Sequence, residues 1–403
     1  MDILVVAGYC LKVNSSANLC HLAYLKGLKE LGHRIDLVTV SEKGLKTDPS
    51  IEIPEGINVF EYPASLYERL SYKRYKNTKV TTDINVSEDR RSHGKRSIKS
   101  RMLSKLKEAI HKSYGVHGTV SAWCRYAMNF KSDKQYDYVI SLAHPPISHV
   151  LVYKLKKKKR IKYEQWIQIW EDPWTMDYDS DNRKRKVYLE EQKILSYAEK
   201  VLYVSPLTLL YQKELFPEYS EKMFWQPLPT YYEARLSPDI FDKKTYGYFG
   251  EYDPKIRNLR PFYEAAEERG IEVNICGNPS NLFEGTDTIS IHPRLLLKEL
   301  ALIENKTNVL VFLCNKKGGQ IPGKIYQYSA SNKIILFVLD GTEKEKKIIK
   351  EYFEKYKRYV FCDNRKDAIN EAIDKIEKNE FHDISNCPIT DFAPASIIEK
   401  ILT

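Results

Sequence analysis

A glycine-rich turn in the second half of the sequence carries residues suited to phosphate binding. The segment from Gly318 to Tyr328 reads GGQIPGKIYQY and separates a strand pattern from a helical pattern. Its glycines permit close backbone approach to a ligand, Pro322 suits a first helical turn, and Lys324 supplies a cation. Amides at a helix start, together with a fixed cation, bind phosphate. The turn therefore predicts a phosphate site, although the same glycines also suit a plain tight connection.

A second candidate cation follows the apolar run from Tyr246 to Phe249. The loop after it begins at Gly250 and contains Arg257. Loops beyond the carboxyl ends of strands are where open α/β sheets bind ligands. A guanidinium can hold a diphosphate through two parallel hydrogen bonds, so Arg257 is a candidate ligand. The alternative is a surface arginine that pairs with a nearby carboxylate.

Two polar stretches in the first half also follow predicted strands. His144 precedes two prolines, and Asp172 lies in the sequence Glu171-Asp172-Pro173-Trp174. Both stretches are expected at the same sheet edge as the loop from Gly8 to Ser16. Asp172 could orient an acceptor hydroxyl or take its proton, and His144 or His149 could do the same. The alternatives are a helix-capping aspartate and a turn histidine.

The acidic run from Asp177 to Asp181 alternates carboxylates, a pattern that can bind a divalent cation. Neither the glycine nor the distal glutamate of a calcium loop accompanies it. The basic run from Arg183 to Lys186 follows at once. A solvated acidic loop is the better interpretation, and no metal site is predicted.

These candidates need a scaffold of alternating strands and helices, and the chain supplies that pattern twice. The first half has short apolar runs at residues 3–7, 35–40, 59–62, 138–142, 166–170 and 201–204. The second half has them at 246–249, 271–276, 309–313, 334–338 and 359–362. Amphipathic stretches between such runs indicate parallel sheets with helical crossovers. The sequence therefore predicts an α/β protein with two Rossmann-like domains.

The domain boundaries are predicted from the positions of prolines and from the lengths of the connecting segments. Five prolines between residues 206 and 238 mark the change between halves. We predict an N-terminal domain over 1–205, a C-terminal domain over 206–385, and a final helical segment over 386–403. Residues 63–120 are too long for an ordinary α/β connection and form a predicted basic insertion.

Composition limits the class of protein. The chain has 403 residues, of which 42% are hydrophobic and 29% are charged. It has no apolar run long enough to span a membrane and no basic leader before its first apolar stretch. Its seven cysteines are scattered, without a Cys-x-x-Cys pair. These features predict a globular protein in a reducing, cytoplasmic setting.

The positive charge is concentrated in one segment. Residues 70–113 hold thirteen Lys or Arg against four Asp or Glu, a local excess of nine within a net charge of +10. Ile98, Met102, Leu106 and Ile110 form an apolar stripe there. The segment is predicted to rest on an anionic membrane surface, as a peripheral contact. The alternative, nucleic-acid binding, is disfavoured because stacking aromatics are few.

The order of these motifs resembles bacterial family 4 glycosyltransferases of the GT-B architecture, which act in surface polysaccharide synthesis. The likeness covers nearly the whole chain. Its most specific pieces are the turn Ile321-Pro322-Gly323-Lys324 and the tripeptide Asp172-Pro173-Trp174. The resemblance implies two Rossmann-like domains facing across a cleft, with the C-terminal helix returning to the N-terminal domain.

The resemblance also implies a reaction. A sugar would pass from a nucleotide diphosphate donor to a glycan or lipid-linked acceptor, with retained anomeric configuration, no metal and no cofactor. Catalysis would rest on Asp172, Arg257 and Lys324. The implied donor-binding residues are Gly250, Gly277, Asn278, Gly319, Gln320, Ile321, Pro322, Gly323 and Gln327. The implied acceptor-binding residues are Ser15, Ser16, His144 and Trp174.

Two features depart from the family pattern. Gly319 and Gln327 stand where the family usually places a pair of glutamates over the donor, and Glu251 stands where many members carry an arginine. Gln327 can still hydrogen-bond a ribose hydroxyl, without the strength of a carboxylate. The alternative function is therefore a non-catalytic subunit of the same fold that binds a nucleotide sugar or a glycan.

Overall fold

The computed structural model describes residues 1–70, 115–177, 181–231, 244–277, 282–317, 319–380 and 384–403. Most of the predicted basic insertion lies outside these ranges, as do Asn278, Gly318 and the middle of the acidic run after Asp177. Among the described residues, no helix is both long and apolar enough to cross a bilayer.

The described chain divides into two compact units. The first contains Met1–Val13 and His33–Val201, and the second contains Asn14–Gly32 and Leu202–Thr403. Residues 14–32 include the helix that follows the first strand, so this helix is grouped with the second half of the chain and not with its neighbours in sequence.

The first sheet has seven strands in the order β3-β2-β1-β4-β5-β6-β7. These strands are β1 Asp2–Ala7, β2 Arg34–Val40, β3 Asn58–Tyr62, β4 Gln135–Ala143, β5 Lys162–Trp170, β6 Lys200–Tyr203 and β7 Met223–Trp225. The pairings from β3 through β5 are parallel. The order reverses between β1 and β4, which makes the carboxyl ends of these strands a topological switch point.

The second sheet has six strands in the order β10-β9-β8-β11-β12-β13, all paired in parallel. These strands are β8 Thr245–Phe249, β9 Glu272–Cys276, β10 Ile289–His292, β11 Val309–Leu313, β12 Ile334–Leu339 and β13 Tyr359–Asp363. The central β11 reads VLVFL and is buried throughout, as expected for a parallel strand covered on both faces. The switch point here lies between β8 and β11.

Helices connect the strands of both sheets. They are α1 Ser16–Glu30, α2 Ser121–Ala127, α3 Ile147–Lys157, α4 Trp174–Asp177, α5 Asp181–Leu195, α6 Pro206–Leu215, α7 Arg260–Arg269, α8 Leu297–Lys306, α9 Lys324–Ser329, α10 Glu343–Glu354, α11 Lys366–Glu377 and α12 Pro394–Leu402. Local signals explain several of their ends. Ser15 caps α1 by accepting a hydrogen bond from the Asn18 amide at 3.2 Å, and Gly270 ends α7 in the left-handed region at φ 59°.

The closing helix α12 packs closely on α1. A Cβ built on Gly27 would lie 2.3 Å from the Pro394 carbonyl oxygen, so only glycine permits this approach. Ile397, Ile398 and Ile401 of α12 are fully buried. Each strand predicted from the sequence overlaps an observed strand, and β7 and β10 are additional to the predicted set.

Candidate active site in the second unit

The second unit contains a cavity of about 390 Å³ at the carboxyl edge of its sheet. The loops after β8, β9 and β10, the turn before α9 and the start of α1 line it. These segments contribute Gly250, Gly277, Arg294, Gly323, Lys324 and Ser16, among others. Because this edge lies beside the switch point of the sheet, the cavity occupies the place where doubly wound sheets bind their ligands.

The loop after β8 is held in shape by its own hydrogen bonds. The buried Tyr248 hydroxyl donates to the Glu251 carbonyl oxygen at 2.6 Å, and the Lys255 amide donates to the Asp253 carboxylate at 2.9 Å. Burial raises the pKa of Tyr248 to about 12, so its hydroxyl keeps the proton that it donates. The loop therefore presents its side chains from a fixed backbone.

The same loop positions Arg257. Its Nε donates to the Asn315 side-chain oxygen at 2.7 Å, and its Nη1 contacts the Glu251 carbonyl oxygen at 3.5 Å. Both partners are neutral, and Asn315 lies two residues after the central strand β11. The guanidinium is thus oriented by the switch point of the sheet without being neutralised there.

Lys324 lies at the first position of α9 and lines the same cavity. Its Nζ lies 5.8 Å from the Tyr328 ring centroid, at the outer limit of a cation–π contact. Burial raises the pKa of the nearby Cys276 thiol to about 12, against the opposing influence of Lys324. The thiol therefore stays neutral near pH 7 and leaves the lysine charge uncompensated.

The cavity is positively charged overall. Within the described ranges, neither Arg257 nor Lys324 forms an ion pair. A third cation, Arg294, approaches the Glu251 carboxylate at 3.5 Å and donates to the Asn14 carbonyl oxygen at 2.9 Å. Two fixed cations without a carboxylate partner in one cavity are suited to holding a dianion.

Close backbone approach shapes the floor of the cavity. The Gly250 amide donates to the Cys276 carbonyl oxygen at 2.9 Å, which brings the loops after β8 and β9 together. A Cβ on Gly277 would lie 2.3 Å from the Gly250 carbonyl oxygen and 2.8 Å from the Tyr252 ring. Glycine is therefore required at position 277 by packing, which leaves backbone exposed to the cavity.

Gln327 lines the cavity but also supports its wall. Its side-chain oxygen accepts a hydrogen bond from the Tyr231 amide at 2.7 Å, and the residue is only 9% exposed. The sequence predicts a hydrogen bond from Gln327 to a ribose hydroxyl. In the structure, the Gln327 side-chain oxygen instead binds a backbone amide of the protein.

The other predicted donor residues divide into two groups. Pro322 and Gly323 line the cavity with Lys324 and Gln327. Gly319, Gln320 and Ile321 are not among the lining residues. Gly319 instead adopts φ 67°, and its carbonyl oxygen accepts a hydrogen bond from the Ser205 hydroxyl at 2.5 Å.

The predicted acceptor residues lie in different places. Ser15 and Ser16, at the start of α1, line the cavity of the second unit together with the predicted donor residues. His144 and Trp174 belong to the first unit, where His144 is exposed and Trp174 is only 5% exposed. Asp172 is also in the first unit, half-buried after β5.

Two buried polar residues of the first unit have structural partners. The buried Glu191 carboxylate accepts a hydrogen bond from the Thr175 amide at 2.9 Å, which supports the start of α4. His149 is fully buried, and its Nδ1 lies 2.7 Å from the Ser141 hydroxyl oxygen. The Trp166 indole donates to that hydroxyl oxygen at 2.7 Å, so His149 belongs to a core network.

The first unit has a cavity of its own, of about 370 Å³, at the carboxyl edge of its sheet. Its lining includes Gly8, Tyr9, Val40, Lys46, Glu68 and Trp123. The Glu68 carboxylate accepts hydrogen bonds from the Ser65 amide at 3.0 Å and the Ser65 hydroxyl at 2.6 Å. The Glu68 carboxylate in this cavity is therefore engaged in hydrogen bonds within the chain.

Arg294 is not among the site residues predicted from the sequence. The available signal was its position directly after β10, beyond the carboxyl end of a parallel strand. The contribution of Asn315 was also missed, because nothing local in the sequence shows that an amide after β11 orients an arginine after β8.

Comparison with solved structures finds similarity over the whole chain. Sucrose-phosphate synthase from Thermosynechococcus elongatus matches with a TM-score of 0.56 at 13% identity, covering 100% of this chain and 93% of that one. A glycosyltransferase from Rickettsia africae ESF-5 matches with a TM-score of 0.52 at 13% identity, covering 99% and 97%. No model of a known protein family and no curated protein sequence matches the chain. At this level of identity the similarity establishes the fold, and the two Rossmann-like halves expected of a GT-B protein are confirmed.

Proposed function

We propose that the protein is a glycosyltransferase that takes a sugar from a nucleotide diphosphate donor bound in the second unit. The observation that carries this proposal is the placement of Arg257 and Lys324 in one cavity, without carboxylate partners among the described residues, at the switch point of the sheet. Gly323, directly before α9, brings backbone to the same cavity, whereas the Gly250 and Gly277 amides donate to the Cys276 and His292 carbonyl oxygens. Fixed cations beside the start of a helix suit a diphosphate.

The chemistry that this arrangement supports is departure of the diphosphate. When the bond between the anomeric carbon and the diphosphate oxygen breaks, its electron pair remains on that oxygen and negative charge develops there. Cations already in position stabilise that charge without reorganising. Arg257, Lys324 and the amides near Gly323 are the groups that we assign to this task.

The acceptor side of the proposal follows the resemblance to family 4. A hydroxyl of a glycan or lipid-linked acceptor would form the new bond to the anomeric carbon and pass its proton to Asp172, with retained configuration, in surface polysaccharide synthesis. Asp172 is the residue proposed to face the reacting sugar or acceptor, with Ser15, Ser16, His144 and Trp174 as proposed acceptor contacts. The positive charge of residues 70–113 supports a peripheral membrane location for such an acceptor, which liposome sedimentation of the full chain tests.

Metal independence is part of the same proposal. Arg257 and Lys324, without carboxylate partners among the described residues, supply positive charge that other transferases obtain from a divalent ion. Turnover should therefore be unchanged by EDTA, and a loss of turnover that Mg²⁺ or Mn²⁺ restores contradicts this part of the proposal.

The first experiment is a thermal-shift screen of the full chain with UDP, GDP, CDP and ADP, followed by donor hydrolysis and transfer assays with the sugar nucleotides of the best binder. Binding raises the midpoint of unfolding in proportion to the logarithm of ligand concentration above Kd. If no nucleotide sugar is bound or turned over, the transferase proposal fails.

A second candidate function is a non-catalytic subunit that binds the nucleotide sugar without transferring it. Gln327 favours this candidate, because its oxygen is bonded to the Tyr231 amide at 2.7 Å at a position where the family uses a carboxylate. Stoichiometric binding of a sugar nucleotide, with neither hydrolysis nor transfer at any acceptor tested, supports the binding subunit over the enzyme.

A further inference from the structure

Arg294 lies in the donor cavity beside Glu251, in an arrangement that neither the fold nor the proposed reaction explains. Its Nη1 is 3.5 Å from the Glu251 carboxylate, and its Nη2 donates to the Asn14 carbonyl oxygen at 2.9 Å. Both side chains are half exposed, at 50% and 58%. An ion pair this open contributes little to folding stability.

Each partner is held from a separate element. Glu251 projects from the loop after β8. The backbone of this residue is fixed, because its carbonyl oxygen accepts a hydrogen bond from the Tyr248 hydroxyl at 2.6 Å. Arg294 projects from the loop after β10 and is tethered by the backbone at the start of α1. The two groups therefore meet because the cavity brings their loops together.

Arg294 retains hydrogen-bonding capacity toward the cavity. A guanidinium has five N–H donors. Within the described part of the chain, its partners are the Asn14 carbonyl oxygen and the Glu251 carboxylate alone. The remaining donors belong to a side chain that lines the cavity with Arg257 and Lys324.

We propose that Arg294 is a third anion-binding residue of the donor cavity, and that Glu251 is the counter-ion that occupies it until a diphosphate enters. This inference rests on the proposed function, because it assigns the diphosphate group to the same cavity. The incoming anion and the Glu251 carboxylate compete for one guanidinium. Glu251 thereby weakens diphosphate binding and eases release of the nucleoside diphosphate product.

The test compares single and double variants of the full chain by calorimetric titration. The probes are inorganic pyrophosphate and the nucleoside diphosphate that binds best in the thermal-shift screen. We expect Arg294→Gln to weaken both by about tenfold, and Glu251→Gln to tighten both by a few-fold, about the scale of a charge-assisted hydrogen bond at a partly exposed site. In the Arg294→Gln background, Glu251→Gln should have little effect, because the pair acts as one unit.

Matched controls separate this role from general charge and from structure. Lys298→Gln removes a lysine four residues from Arg294 that does not line the cavity, and Glu267→Gln removes an exposed carboxylate on α7. Both should leave pyrophosphate affinity unchanged. Arg294→Lys keeps the charge without the fork and should retain part of the affinity, whereas a purely structural tie would be lost in Lys and Gln variants alike.

Three outcomes overturn the inference: Arg294→Gln with unchanged affinity, Glu251→Gln with weaker affinity, or absence of pyrophosphate and nucleotide binding in the unaltered protein. Its failure is distinct from failure of the transferase proposal. Pyrophosphate affinity that depends on Arg294, without turnover of any sugar nucleotide, supports the inference and rejects the enzyme. Turnover of a sugar nucleotide that is unchanged in the Arg294→Gln variant supports the enzyme and rejects the inference.

Discussion

The two cavities of this protein have similar volumes and equivalent positions but differ in their charged groups. Each lies at the carboxyl edge of a parallel sheet, with about 370 Å³ in the first unit and about 390 Å³ in the second. In the first, the Glu68 carboxylate is bonded to Ser65, and the Trp123 indole donates to the Thr39 carbonyl oxygen at 3.2 Å. In the second, Arg257 and Lys324 have no carboxylate partner in the described chain.

The difference between the two cavities lies in their charged groups and not in their volumes, and our proposal of a diphosphate site in the second unit rests on that difference. The same sheet order produces both cavities, so the fold provides the space in each case. What the second sheet adds is a loop after β8 and a turn before α9 that carry cations. The proposed donor site therefore depends on the residues of these two segments.

Removal of the cations of the second cavity tests most directly whether their charge supports activity. Arg257→Gln and Lys324→Gln should each lower kcat by about 10²- to 10³-fold, because each removes a preorganised charge from the departing diphosphate. Steady-state donor hydrolysis measures the effect. Lys46→Gln, in the first cavity, should leave kcat of donor hydrolysis unchanged. An equal loss of kcat in the Lys46 variant would contradict a donor site confined to the second cavity.

Asp172 tests whether the first unit takes part in the chemistry. Asp172→Asn should lower kcat by about 10²-fold, the lower end expected for loss of a proton-transfer group. The affinity for nucleoside diphosphate should not change, since that site belongs to the other unit. Pre-steady-state transfer and calorimetry together separate the two effects. A variant with full transfer activity removes Asp172 from the mechanism.

Gly277→Ala tests the close backbone packing at the floor of the second cavity. The added methyl would meet the Gly250 carbonyl oxygen at 2.3 Å, so the floor of the second cavity must shift and nucleoside diphosphate affinity should fall by about tenfold or more. Gly8→Ala places a methyl 2.5 Å from the Ile147 side chain in the first unit. Its affinity for the nucleotide should stay within about twofold of the unaltered protein. Similar losses in both variants would contradict separate cavities.

Gln327 tests whether the wall of the second cavity depends on one hydrogen bond. Gln327→Ala leaves the Tyr231 amide without this acceptor and should cost about 1–3 kcal/mol, which corresponds to a fall in Tm of several degrees. Gln327→Glu keeps an acceptor oxygen, so its Tm should remain near that of the unaltered protein. Differential scanning calorimetry measures both Tm values. Equal Tm values for the Gln327→Ala variant and the unaltered protein would refute a structural role for the Gln327 side chain.

The smallest effect expected concerns the cysteines of the two cavities. Burial raises the pKa of Cys10 in the first cavity, and that of Cys276 in the second to about 12. Because thiolates and not thiols react with iodoacetamide, both should remain unmodified at pH 7.5. Cys387 is exposed and should be labelled. Peptide mass spectrometry detects the sites, and rapid labelling of Cys276 would show a more open second cavity.

The sequence predicts the fold well because buried parallel strands have continuous apolar sequences. The runs at 309–313 and 334–338 coincide with β11 and β12 almost to the residue. The Pro-Gly-Lys turn likewise predicts Lys324 at the start of a helix, because proline and glycine favour such a position locally. Short strands such as β7, with three residues, carry too little pattern to be recognised.

The site is less predictable because its key contacts join residues far apart in sequence. Arg294 meets Asn14 across 280 positions, and Arg257 meets Asn315 across 58. Gln327 illustrates the same limit, since its type suggests a sugar contact but its neighbour in space is the Tyr231 amide. The sequence shows which groups are available, and only the folded chain shows which of them are already engaged.

Grouping of α1 with the second half of the chain limits how this protein can be divided. A fragment made of residues 202–403 lacks the surface around Gly27 on which α12 packs, and so leaves Ile397, Ile398 and Ile401 without their covering helix. Such a fragment should aggregate, whereas a fragment to which residues 14–32 are fused should be better behaved. Gene fusion or domain exchange at the single junction near residue 201 would therefore separate a helix from its partner, so a viable chimera must carry two segments of the chain together.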